Sequence, residues 1–107
     1  GNIKYPFGIP DNKRKKMKLY DYKNYLSAFY LRLEVKDKPG VLSVLTKLLA
    51  KHKISIERLI QIPNNKKKVA SIVIITHKTK EINSKLCLKS LNKNKNLLKH
   101  PTLIRLI

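Results

Sequence analysis

His77 is the residue of this 107-residue sequence best suited by type to move a proton, and Glu81 is the only carboxylate near it along the chain. One histidine at the end of an apolar run, with no carboxylate near it in sequence but Glu81, is too little to carry catalysis, so no catalytic role is read from it. His52 and His100 read as surface residues near element ends, and three scattered histidines have no metal-ligand spacing, so no metal site is expected. The only cysteine, Cys87, excludes an intramolecular disulfide and a cysteine-based zinc cluster; it falls among apolar helix positions, which predicts an inert buried thiol. Gly1, Gly8 and Gly40 are the only glycines, so there is no Gly-x-Gly-x-x-Gly turn to cradle a dinucleotide. No catalytic residue is assigned, and the chain is not read as an enzyme by itself.

The elements that would position any site follow from hydrophobic spacing. Phe29, Leu31, Leu33 and Val35 alternate with polar neighbours, the two-residue period of a half-buried strand. Asp37-Lys38-Pro39-Gly40 breaks it. Val41, Leu42, Leu45, Leu48 and Leu49 then recur at three and four, which predicts a helix to about His52, with Pro39 in its first turn. Ile54 to Ile62 reads as a strand whose alternation slips at Arg58-Leu59, the mark of a bulge, and Pro63-Asn64-Asn65 as the turn that closes a hairpin. Val69–Thr76 is nearly all apolar, as a central strand would be. Thr79 with Glu81 suggests a second helix start; Ser84, Cys87, Leu88 and Leu91 lie on one side of that helix, Ile82 and Leu86 on the other. Leu103 to Ile107 completes the set as a last strand. A β-α-β-β-α-β order predicts a ferredoxin-like α+β fold, one four-stranded antiparallel sheet with both helices on one face. Its other face would carry too many apolar side chains to stay wet, so pairing with a second copy is expected.

One domain suffices for this length, and the stretch 1–27 reads as a connector: Pro6, Gly8, Pro10 and Lys13-Arg14-Lys15-Lys16 interrupt it, and four tyrosines show no sustained period. The domain proper is placed at 28–107. No signal-peptide pattern or membrane-length apolar run occurs, and a cytoplasmic location is expected. The formal charge of +19 rests almost wholly on lysine, accompanied by much asparagine and isoleucine. That trio is what an AT-rich coding sequence would give, whereas nucleic-acid readers favour the arginine fork. No specific nucleic acid and no membrane is expected as partner.

Tyr30-Leu31-Arg32-Leu33-Glu34-Val35-Lys36-Asp37-Lys38-Pro39-Gly40-Val41-Leu42, with Ile54-Ser55-Ile56-Glu57 after the helix, resembles the signature of an ACT domain. Ile72-Val73-Ile74-Ile75-Thr76-His77, the terminal Ile104-Arg105 and the upstream Pro6-Phe7-Gly8 are similar to homoserine dehydrogenases in particular. The resemblance implies an allosteric, amino-acid-sensing regulatory part. It also implies a parent enzyme whose absent catalytic domain uses NAD(P) to interconvert aspartate semialdehyde and homoserine and is inhibited by threonine. The effector would bind between two domains, with contacts carried over to Asp37, Lys38, Gly40, Val41, Leu42 and, from the next strand, Ser55. A loop feeding a helix N-terminus suits a carboxylate physically, and Asp37 could answer an ammonium group. Some amino-acid-binding relatives have a histidine where Val35 stands and an asparagine where Ser55 stands. Taken singly, Asp37 reads more simply as a cap of the first helix. Two other readings stay open: a module that only dimerises, and a basic RNA-binding module on the same fold, which the lack of an aromatic platform on the central strands disfavours.

Overall fold

The computed structural model describes residues 25–64 and 66–106, so the expected connector over 1–27 falls almost wholly outside the described residues. The alternation centred on Leu31 builds β1, Leu26–Lys36, with Phe29, Leu31, Leu33 and Val35 buried on one side. After the Asp37–Gly40 loop comes α1, Val41–Lys51, whose buried positions Val41, Leu45 and Leu49 repeat every four residues. Leu48 and Leu42 pack at the margin of that core rather than in it. Helix α1 ends with Lys53 in the left-handed region (φ 62°), which lets the Ile54 N–H return to the Leu49 carbonyl at 3.0 Å and buries Ile54 beneath the turn.

β2, Ile56–Asn64, and β3, Val69–Thr76, form the expected hairpin. The slip in the apolar pattern is real: the register shifts between Ile56 and Arg58, so Ile56 and Leu59 reach the core while Ile60 and Ile62 face the other way. The turn comes later than expected, because β2 continues through Pro63 and Asn64 and Lys68 takes the left-handed conformation (φ 52°) instead. An edge strand tolerates proline, since nothing requires its missing N–H on the outer side. A two-residue strand that the sequence did not suggest, β4 (Thr79–Lys80), continues the line of β3 along β1. At the break between them the Thr76 hydroxyl accepts the Phe29 N–H at 2.9 Å, and beyond it the Glu81 N–H reaches the Tyr25 carbonyl.

α2, Glu81–Asn92, therefore starts directly from a strand, with Lys80 and not Thr79 at its N-cap and no side chain capping it. It buries Glu81, Ser84, Cys87 and Leu91; Leu88 and Ile82 are half-buried and Leu86 is exposed. β5, Thr102–Leu106, pairs with the free side of β1. The full sheet is antiparallel in the order β2-β3-β1-β5, the ferredoxin-like α+β arrangement. One face of β1 and β3 and the inner stripes of both helices form a single core. Burying leucines such as Leu45 and Leu49 to zero exposure contributes roughly 1.5–3 kcal/mol per side chain.

Candidate functional site

The loop between β1 and α1 is held by its backbone. Asp37 donates its N–H to the Lys68 carbonyl at 2.9 Å, which anchors the end of β1 to the start of β3. Gly40 is the N-cap residue of α1 at φ 88°, a conformation that disfavours any residue with a Cβ, although a Cβ there would meet nothing within 4 Å. Space is not the constraint; backbone conformation is. Pro39 precedes that cap and so stands in the turn, not in the first helical turn as expected.

No side chain caps α1, which overturns the reading of Asp37 as a cap and leaves its carboxylate exposed. The Val41 N–H turns back to the Lys38 carbonyl at 3.3 Å, and the Val44 N–H takes the Gly40 carbonyl at 3.1 Å. Between them, the N–H groups of Leu42 and Ser43 lie in the first turn, where an α-helix supplies no acceptor. With no acidic residue in that turn, the positive end of the helix dipole is not neutralised from within the helix. Lys38 beside it is exposed, Val41 is buried, and Leu42 is half-buried against the core.

Ser55 lies elsewhere. Its carbonyl accepts the His77 N–H at 2.9 Å, at the far end of β3 from Lys68. Nine residues of extended chain from Lys68 to His77 span about 30 Å at about 3.3 Å each. One copy of the chain thus brings Asp37, Lys38, Gly40, Val41 and Leu42 together and leaves Ser55 at the opposite pole, in an open hollow with Thr46, Ala50 and Lys53.

The remaining polar groups are arranged for structure. His77 is exposed, while Glu81, the carboxylate nearest it in sequence, is turned inward on Arg105 with Nη2 to Oε1 at 2.5 Å. Sequence reasoning missed this pair, although a glutamate opening a helix and an arginine alternating with Ile104 and Leu106 in a short strand were both visible. His52 is half-buried rather than on the surface, its Nε2 3.0 Å from the Ser90 hydroxyl, and so joins the end of α1 to α2. On the sheet face away from the helices, the Ser71 hydroxyl donates to Glu34 Oε1 at 2.5 Å and Arg32 Nε donates to Oε2 at 2.9 Å. The Ser71 hydrogen bond, more than Arg32, holds the Glu34 carboxyl below the usual carboxylate range. Cys87 is buried, and desolvation pushes its thiol up to about 11, where no reactive thiolate forms near neutrality. Among the described residues, no group of His, Cys, Asp and Glu could hold a metal ion, and no helix is long and apolar enough to cross a membrane.

The ferredoxin-like sheet and its two helices coincide with the fold of a known family. The ACT domain model matches residues 29–96, and the chain belongs to that family. Homoserine dehydrogenases are among the proteins it is similar to. That of Neisseria gonorrhoeae is 39% identical over 80 residues, covering 75% of this chain and 18% of the relative. That of Methylobacillus glycogenes is 48% identical over 58 residues, 53% of this chain and 14% of the relative. The crystal structure of a homoserine dehydrogenase from Thiobacillus denitrificans superposes with a TM-score of 0.70 at 30% identity, over 80% of this chain and 19% of that one. The chain thus spans under a fifth of the length of these relatives.

Proposed function

We propose that this chain is the allosteric, amino-acid-sensing regulatory domain of a homoserine dehydrogenase, with threonine as its effector. The observation that carries the reading is the open start of α1: the N–H groups of Leu42 and Ser43 and the dipole behind them suit a carboxylate, and the exposed Asp37 suits an ammonium group. Lys38, Gly40 and Val41 complete that half of the site. The ACT family membership and the homoserine dehydrogenase relatives support the parent's identity.

Ser55 enters from a second copy. β2 is an edge strand, and two β2 edges paired antiparallel about a two-fold axis set the Ser55 end of one copy beside the Asp37 end of the other. A site completed only on pairing couples effector binding to assembly, which is one route by which an allosteric domain can act. On this reading residues 1–27 connect to a catalytic domain, the parent acts in the cytoplasm, and NAD(P)H is the hydride donor there that reduces aspartate semialdehyde to homoserine. The sequence lacks the three-glycine turn that would hold the dinucleotide's pyrophosphate: its one described glycine opens α1. On this reading catalysis belongs to the other part of the parent.

Titrating the chain with threonine, methionine, lysine, homoserine and aspartate, with amide shifts as the readout, tests the proposal. Threonine should move the amides of Leu42, Ser43 and Ser55 together and raise the sedimenting mass. Movement of none of them, with no change of mass, would favour a module that only dimerises.

A further inference from the structure

The sheet face turned away from the helices carries its own pattern. Ile60 and Ile62 of β2 are 46% and 54% exposed, and Val73 and Ile75 of β3 and Ile104 of β5 stand half-covered beside them. The pairing registers put these residues in common rows: Ile60 with Val73, Val73 with Arg32, Tyr30 with Ile75 and Ile104. Among the described residues no element packs on this face.

Charge is distributed against it. The chain has 25 lysines and arginines, yet the middle of the face holds one, Arg32, and that one is matched by Glu34 two residues away on the same strand. Lys36, Arg58 and Lys99 lie at its margins. A molecule with a formal charge of +19 repels its own copies over most of its surface, and only a face with its charge removed or balanced lets two copies meet.

We propose that this face is a second interface between copies of the chain, packed face to face about a two-fold axis that runs across β1 between the levels of Arg32 and Glu34. A two-fold axis there lays β1 of one copy over β1 of the other in the opposite direction. Arg32 of each copy then faces Glu34 of its partner, Ile60 lies over the other copy's Ile62, and Ile75 over its Val69. The opposite-sign order on a single strand makes the face complementary to itself, which is why the partner is another copy. Ser71 and Arg32 hold Glu34 in the position this requires. The interface is independent of the β2 edge used in the proposed effector site, and either can fail without the other.

Charge exchange tests it. Sedimentation velocity of the intact chain without amino acid should show self-association that Val73→Lys abolishes. Arg32→Glu and Glu34→Arg should each weaken it at least ten-fold, because each places like charges opposite one another. A 1:1 mixture of these two variants should associate again, since each then meets its opposite. Circular dichroism should show both variants folded. Recovery on mixing cannot come from a change inside one copy, so it would distinguish an interface from a structural role. Folded single variants that associate as the parent chain does, or a mixture that stays dissociated, would overturn the proposal. So would retention of association in folded Val73→Lys, which would assign the contact to another surface.

Discussion

Arg105, in the last strand, and Glu81, at the first position of α2, meet in the interior with side chains 1% and 0% exposed. The pair ties the first turn of α2 to the last strand, and it does so where water cannot screen it. Glu81 Oε2 is buried without a hydrogen-bond partner, so the carboxylate depends on the guanidinium for its compensation.

Removing one partner should therefore be severe. Glu81→Gln or Arg105→Met is expected to lower unfolding free energy by about 3–5 kcal/mol, the range for a broken buried pair. The double variant should lose less than the sum of the two. Urea denaturation of the four proteins supplies the cycle; additive losses would show that the two groups are not coupled.

Packing was the most legible part of the sequence. The periods of two and of three-to-four placed β1, α1 and β3, and even the bulge in β2 announced itself as a slip at Arg58-Leu59. Local chemistry misled where long-range pairing prevailed. Thr79 looked like a helix cap but is drawn into β4 by its pairing with Ser27, and Asp37 looked like a cap but Gly40 holds that position in a left-handed turn that brings no side chain to the helix. The separation of Ser55 from Asp37 depends on strand direction, which no short motif encodes.

Leu45→Ala should cost roughly 2–5 kcal/mol, since Leu45 is wholly buried between helix and sheet. A loss below about 0.5 kcal/mol in the same denaturation experiment would remove it from the core.

Lys53→Gly is expected to stabilise the chain by roughly 0.5–1 kcal/mol, read as a higher denaturation midpoint. Lys53 is exposed and holds a left-handed conformation that a side chain disfavours, so the substitution relieves strain without disturbing packing. Gly40→Ala should act in the opposite sense by about 1–2 kcal/mol for the same reason.

Glu34 gives a pH signature. Its folded pKa lies below the ordinary glutamate value, so it stabilises the fold above the unfolded pKa and this contribution is lost as pH falls through the folded pKa. Ser71→Ala should raise the Glu34 pKa and move the onset of that loss to higher pH. Carboxyl chemical shifts followed through an acid titration report it directly; an unchanged Glu34 titration in the variant would show that Arg32 alone holds the carboxylate.

Regulation itself is tested by Asp37→Ala in the full-length parent enzyme. A millimolar effector complex has only about 4 kcal/mol of binding free energy, and one lost charge-assisted hydrogen bond removes roughly 1.5–3 of it. Threonine inhibition curves for parent and variant, measured beside uninhibited turnover, are the decisive comparison. The expected result is a shift of ten-fold or more in the threonine needed for half-inhibition, with turnover in its absence nearly unchanged. A parent enzyme indifferent to threonine, or a variant that loses turnover and keeps its inhibition, would contradict the effector assignment and leave this chain a dimerising module.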